Sequence, residues 1–290
     1  MRVLVTGGTG HVGCHTVKAL LDAGHQVRMF VRSPDRVGLA LDPLGVSVDD
    51  IVAGDVTDEV ATKSAVAGCD AVIHAANIFT FAPKHADAMW RVNTVGTENV
   101  LRFAEEAGLD PIVHVSTLGT LLGDADELTD ESDLGQPLGP YTASKIEAEK
   151  IARRFQANRA PVVITHPAGV CGPHDPHLGE CAQFIISVLR GQMRMVPDGY
   201  FPLCDPRDVA AAHAAIIEPG KGPRRYLLGG NNPQTREIID MIGEVTGRNL
   251  SAMRVPWGIP MAAGRSVRDT LRWLLAEGHI TPRQAGTLAA

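Results

Sequence analysis

Along the first 115 residues, short, nearly unbroken apolar runs alternate with stretches whose apolar positions recur every three or four residues. VLVTG, QVRMFV, VDDIVAGDV, DAVIHAA and PIVHVST have the length and composition of strands covered on both faces. Residues 11–23, 60–67 and 85–107 between them read as amphipathic helices, the last the longest. A further helix is expected over 139–158, opening after Gly139-Pro140, followed by strands at VVITHPAG and RYLLGG. Regular alternation of this kind predicts an α/β fold with a doubly wound parallel sheet. After Val170 the pattern weakens, and CGPHDPHLGEC and VPDGYFPLCDP bring Pro, Gly and His into what read as irregular segments.

The first strand runs into MRVLVTGGTGHVG, where Gly7, Gly8, Gly10 and Gly13 crowd into seven residues directly before a helix. A helix entry presents unpaired N–H groups and partial positive charge, so a glycine turn there suits a phosphate that must approach the backbone closely. With a strand before, a helix after and a second strand at βαβ distance, the inference is a nucleotide pyrophosphate site; a purely structural turn is the alternative. The spacing is G-x-x-G-x-x-G, one residue longer than the commonest dinucleotide fingerprint.

Composition narrows the partners. The 290 residues are 44% hydrophobic, enough for a substantial core, and the formal net charge is -6, with basic and acidic residues interspersed. That balance offers no basic face for nucleic acid and no polybasic segment for a membrane, so small molecules are the expected partners. No apolar run reaches bilayer-spanning length, and no cleavable leader is evident, which together predict a cytoplasmic protein. The five cysteines are scattered without C-x-x-C and read as reduced thiols.

Two further patterns carry chemistry. YTASK puts Tyr141 and Lys145 four apart on a helix, so both project from one face, and a nearby cation favours the phenolate of a tyrosine whose ordinary pKa is about 10. PIVHVST ends in Ser116 and Thr117, hydroxyls at the carboxyl end of a strand, where open α/β sheets bind ligands. Together with GDVTD, HAAN, RVNTVGTENVL, HPAGVCGP and DPRDVAAAH in this order, the chain resembles the extended short-chain dehydrogenase/reductase family over nearly its whole length. Within that family it looks more like the dihydroflavonol/cinnamoyl-CoA reductase branch than the sugar epimerases.

The resemblance implies a Rossmann-type dinucleotide domain over 1–170, with 204–230 returning to it, and a smaller C-terminal substrate-binding region from 171–203 and 231–290. It implies an NAD(P)-dependent oxidoreductase in which Tyr141 is the acid/base, Lys145 holds the ribose and lowers the tyrosine pKa, Thr117 holds the substrate oxygen and Asn93 orders the active-site helix. Ser116 is the alternative to Thr117. The implied cofactor set is Gly7, Gly10, His11, Val12 and Gly13 at the pyrophosphate, Asp55 and Val56 at the adenine, Ala75 and Ala76 on the ribose side, Tyr141 and Lys145, and Pro167. Arg32 and Ser33, where NAD-selective sites commonly carry an acid, favour NADP(H) over NAD(H). His74 is read as structural. The expected reaction is hydride transfer to a ketone or aldehyde, or from the alcohol; a nucleotide-sugar epimerase or dehydratase and a non-catalytic dinucleotide sensor are the alternatives. Relatives often dimerise through the helices matching 86–107 and 141–158, so a homodimer is expected. His166, Cys171, His174, Asp175, His177 and Cys181 lack zinc-site spacing, and no metal is expected. The acidic run 124–131 reads as a solvated loop, and Met193, Met195, Tyr200 and Phe201 as candidate apolar lining or packing residues.

Overall fold

The computed structural model describes residues 1–80, 83–123, 127–192, 195–250 and 253–256. Its first half alternates strictly: β1 (Arg2–Thr6), α1 (His11–Asp22), β2 (Gln26–Val31), α2 (Val37–Leu41), β3 (Asp50–Ala53), α3 (Glu59–Val66), β4 (Ala71–His74), α4 (Ala86–Glu106), β5 (Ile112–Val115), α5 (Pro140–Ala157) and β6 (Val162–Pro167). There follow β7 (Gly169–Val170), α6 (Glu180–Leu189), β8 (Met195–Asp198), β9 (Leu203–Cys204), α7 (Pro206–Ala215), β10 (Arg224–Leu228), α8 (Thr235–Thr246) and β11 (Met253–Pro256).

The main sheet has seven strands in the order β10-β6-β5-β4-β1-β2-β3, and every neighbouring pair is parallel. It is a Rossmann-type α/β fold, and the order reverses between β1 and β4, opening a crevice at the strands' carboxyl ends. Strand residues alternate between two cores. Leu4, Val72, Ile112, Val162 and Ile164 pack with Val100, Leu101, Ile151 and Ala152 of α4 and α5. Val3, Val5, Ile73, Val113 and Val163 pack on the other face with Val17 and Leu20 of α1 and with Ile217. Burial on both faces is why these strands read as continuous apolar runs.

The strands are shorter than their apolar runs. VDDIVAGDV yields only β3: Gly54 N–H still donates to the Val31 carbonyl at 2.9 Å, and Asp55 then turns the chain, its carboxylate accepting from Thr57 N–H and Thr57 hydroxyl at 2.8 Å each. The chain after Val170 is more regular than its Pro and Gly content predicts: α6 begins inside GEC, and α8 ends on Gly247 in the left-handed conformation.

The chain forms two compact units, Met1–Gln183 with Pro202–Asn231, and Phe184–Phe201 with Asn232–Ala290. In the second, Val188 and Ile239 pack with Phe184, Ile242 and Leu250, and β8 pairs in parallel with β11. Among the described residues no helix is long and apolar enough to cross a membrane.

Candidate active site

The glycine turn is dictated by backbone crowding. Gly7 has φ +72°, and a Cβ there would stand 2.6 Å from Ala76 N; one on Gly13 would stand 2.0 Å from the Gly7 carbonyl oxygen. Gly10 N–H donates to that same carbonyl at 2.9 Å and opens α1, which has neither a side-chain cap nor an acid in its first turn. The helix entry is therefore shaped for an anion from outside the chain, which fits the pyrophosphate of a dinucleotide. His11 Nε2 lies 3.1 Å from the Pro173 carbonyl oxygen, and Val12 packs with Ala168, Cys204 and Val209.

The other expected cofactor residues follow the carboxyl ends of successive strands. Arg32 and Ser33 are exposed just past β2. Asp55 is half-buried past β3, while Val56 is buried and its carbonyl accepts from Thr62 at 3.1 Å and Asn99 at 3.0 Å. Past β4, Ala75 N–H donates to the Thr6 carbonyl and Ala76 N–H to the Thr6 hydroxyl, each at 3.2 Å, which seats both alanines under Gly7. Thr6 also meets His74 Nδ1 at 2.8 Å, and burial pushes His74 down to about 3, so it is a neutral, structural group.

Past β5, Thr117 is half-buried and caps a short helical turn at Leu118–Thr120. Its hydroxyl reaches the Pro167 carbonyl at 3.4 Å, bringing the ends of β5 and β6 together. α5 begins at Pro140, with the Thr142 hydroxyl accepting from Leu138 N–H at 2.8 Å and Gly139 N–H at 3.0 Å. Tyr141 is half-buried with its ring 4.5 Å from that of Phe79, and burial pushes its hydroxyl above the usual phenol range. One turn on, buried Lys145 donates from Nζ to the Val115 carbonyl at 2.8 Å; burial pushes it down to about 8 against the opposing pull of Glu149. The sequence leads to the expectation that Lys145 lowers the Tyr141 pKa, whereas here burial dominates the tyrosine and the lysine faces a backbone carbonyl. Asn93 joins the two sides of the site: Oδ1 accepts from Ile78 N–H at 2.8 Å, while Nδ2 donates to the Ile78 carbonyl at 3.1 Å and the Ser144 hydroxyl at 2.9 Å.

Ser116 and Thr117, indistinguishable as a sequence pair, point to different tasks. The Ser116 hydroxyl donates to Glu149 Oε2 at 2.6 Å in the buried interior, and Thr120 donates to the same oxygen at 2.6 Å. Glu149 Oε1 accepts from His166 Nε2 at 2.9 Å and from Arg153 Nε and Nη2 at 2.9 and 2.7 Å. This hub escaped the sequence reading. Its signal was an acid four residues after Lys145, on the stripe of α5 that otherwise buries Ile146, Ala148, Ile151 and Ala152.

His166 is thus committed to Glu149, and among the described residues no three His, Cys, Asp or Glu side chains gather to hold a metal. Tyr200 and Phe201 are exposed, Met195 falls in β8, and Met193 and residues 124–126 lie outside the described residues.

A glycine turn opening a helix at the switch point of a seven-stranded parallel sheet, with Tyr141 and Lys145 a helical turn apart on α5, is the pattern of an NAD(P)-dependent oxidoreductase of the extended short-chain dehydrogenase/reductase type. Residues 3–229 match the NAD dependent epimerase/dehydratase family, and the chain belongs to that family. It is 28% identical over 285 residues, covering 96% of this chain and 83% of the relative, to 4-hydroxy-2-methyl-3-oxo-4-farnesyl-3,4-dihydroquinoline-1-oxide ketoreductase of Stigmatella aurantiaca. Cinnamoyl-CoA reductase 1 of Arabidopsis thaliana is 27% identical over 264 residues, covering 84% of this chain and 74% of the relative. Among solved structures, UDP-glucose 4-epimerase of Thermus thermophilus in complex with NAD superposes with a TM-score of 0.70 at 26% identity, covering 88% of this chain and 86% of that one.

Proposed function

We propose that the protein is an NADP(H)-dependent reductase of a ketone or aldehyde, running in reverse on the alcohol. The observation that carries the reading is that Lys145 reaches the Val115 carbonyl at the end of β5, Thr117 follows that same strand end, and Tyr141, a turn before Lys145, lies against Phe79 past β4, the strand beside β1 and its glycine turn. Gly7, Gly10 and Gly13, with His11 and Val12, would hold the pyrophosphate; Asp55 and Val56 the adenine side; Ala75, Ala76, Lys145 and Pro167 the ribose and nicotinamide side. Bound there, the reduced nicotinamide supplies a hydride. Thr117 donates a hydrogen bond to the carbonyl oxygen, and Tyr141 delivers the proton as negative charge builds there. A hydroxyl pushed up by burial stays protonated near neutrality, which suits a donor. Asn93 steadies the helix by tying the chain after β4 to Ser144. Exposed Arg32 and Ser33 after β2, with no acid in their place, support NADP(H), since a guanidinium pairs with the extra phosphate. The names of the ketoreductase and cinnamoyl-CoA reductase relatives support a carbonyl substrate.

Assaying NADPH consumption against ketones, aldehydes and nucleotide sugars tests this. Net oxidation is expected with a carbonyl compound, and turnover of a nucleotide sugar without net NADPH loss would replace the reading with epimerisation. Tyr141→Phe should lower turnover by about 10²–10⁴-fold, the usual contribution of a positioned acid, with dinucleotide binding retained; activity within a few-fold of wild type would remove Tyr141 from the mechanism. The protein is further read as a cytoplasmic homodimer through α4 and α5, α4 carrying exposed Trp90 and Val95; a monomer mass in light scattering would overturn the assembly.

A further inference from the structure

Glu149 has no solvent exposure. A buried ion pair is seldom more stable than a well-packed apolar pair of the same volume, because desolvation offsets the attraction, so stability alone does not account for a charge at this position. Its partners do. Oε2 accepts at 2.6 Å from the hydroxyl of Ser116, the residue before Thr117, and at 2.6 Å from that of Thr120. The Thr120 hydroxyl also lies 2.7 Å from the Thr117 carbonyl oxygen, so the backbone on either side of Thr117 is tied to one carboxylate oxygen. Oε1 accepts at 2.9 Å from Nε2 of His166, the residue before Pro167, whose carbonyl the Thr117 hydroxyl meets at 3.4 Å. Arg153 completes the arrangement by bonding Oε1 and donating from Nη2 to the Ser132 carbonyl at 3.0 Å.

Lys145 stands one turn before Glu149 on α5, the spacing at which opposite charges on a helix meet. Its Nζ donates to the carbonyl of Val115, the residue before Ser116. Val115 and Ser116 are therefore held to α5 in succession, by Lys145 and then by Glu149. The sheet turns His74 of β4 and His114 of β5 toward the amine, and burial keeps both neutral; Tyr141 lies a turn earlier on α5, and α4 adds Asn93 and Thr97, neither of which titrates. Glu149 itself is faced by His114, His166 and Arg153.

We propose that Glu149 is a positioning residue for the reaction: its two oxygens fix Thr117 between the ends of β5 and β6, and its negative charge, one turn along α5, balances the Lys145 ammonium. The first role sets where the substrate oxygen is held, and the second keeps the lysine charged against a burial that lowers it to about 8.

Two substitutions separate the roles. Glu149→Asp keeps the charge but withdraws the carboxylate by one methylene from Ser116, Thr120 and His166. Glu149→Gln keeps an oxygen for Ser116 and Thr120 and loses the charge. Assayed well below their melting temperatures and normalised to folded protein, Glu149→Asp should lose roughly 10- to 100-fold in kcat, the usual effect of a small misplacement, with the alkaline limb of its pH–rate profile unmoved. Glu149→Gln should move that limb to lower pH by roughly half a unit or more, because the lysine loses its counter-charge. A merely structural glutamate would leave both variants with wild-type kcat and limb per folded molecule. Where either variant fails to fold, two others take its place. Ser116→Ala with Thr120→Val should reproduce the kcat loss, and Arg153→Met, which frees more of the Glu149 charge for Lys145, should move the limb to higher pH.

The kinetic outcomes rest on the reductase reading above. NMR of protein labelled with 13C at the lysine ε and threonine γ2 carbons does not, with Lys145→Met and Thr117→Val assigning the signals. The Lys145 signal should titrate at lower pH in Glu149→Gln, and the Thr117 methyl should shift in Glu149→Asp. An unmoved Lys145 titration would overturn the charge role, and an unmoved Thr117 methyl the positioning of the hydroxyl. Wild type that turns over no carbonyl compound would sink the functional reading, while the two signals still decide what Glu149 holds.

Discussion

Replacing Glu149 with glutamine keeps the shape of the side chain and removes its charge. The carboxylate has no solvent exposure and accepts five hydrogen bonds: from Ser116, Thr120, His166 and twice from Arg153. The glutamine oxygen can still serve Ser116 and Thr120, but its NH2 group then faces His166 and Arg153, donor against donor. Breaking a buried charge pair from one side costs about 3–5 kcal/mol, because the partner is left without compensation. At about 2–4 °C per kcal/mol for a domain of this size, the melting temperature should fall by roughly 6–20 °C. The pH dependence carries the sign. Burial alone would raise the Glu149 carboxyl, but His166, Ser116 and Thr120 outweigh it and hold the group well below its ordinary value of 4.5. A group whose folded pKa is depressed contributes fully above its unfolded value and loses that contribution as pH falls below it. Urea titrations of wild type and Glu149→Gln should therefore show a constant stability gap from pH 7 to about 5 that narrows below about 4.5. A gap under about 1 kcal/mol at pH 7, the size of an exposed pair, would refute the hub, as would one that widened in acid.

Three further outcomes are expected. Thr117→Val should cost more turnover than Ser116→Ala, whose loss should register in thermal stability, since Ser116 is bonded to Glu149; steady-state kinetics showing the reverse order would move the substrate hydroxyl to Ser116. Activity that depends on cationic Lys145 should fall as pH rises through about 8, because burial holds the amine there; a pH–rate profile flat to pH 10 would separate that charge from the reaction. Arg32→Asp should weaken NADPH by roughly tenfold or more while leaving NADH nearly unchanged, as expected for loss of a charge-assisted phosphate contact; calorimetric titration finding equal losses for both would remove the NADP assignment.

The order of elements and the sheet's parallel character were legible because both depend on local pattern: strands buried on two faces must be apolar throughout, and the helices between them must carry an apolar stripe. The glycine turn was legible for a similar reason, since a left-handed Gly7 and a Gly13 with no room for a Cβ leave the chain no other residue. Where each run stops was not legible. VDDIVAGDV keeps only Asp50–Ala53 as a strand, and at its carboxyl end Asp55 bonds the backbone two residues on, a competition that apolar periodicity does not record. YTASK announced Tyr141 and Lys145 as one face of a helix, yet only the packing of α5 against β5 put Lys145 on the Val115 carbonyl. It likewise took the strand's twist into a capped turn to send Ser116 inward to Glu149 and leave Thr117 at the crevice, although the two stand side by side in the chain. Besides Arg153 one turn on, the Glu149 hub gathers Ser116, Thr120 and His166, 17 to 33 positions away and outside α5. Sequence pattern specifies what each segment can bury; which polar groups meet once it is buried is decided by the register of strands and the rotation of helices, which no single segment encodes.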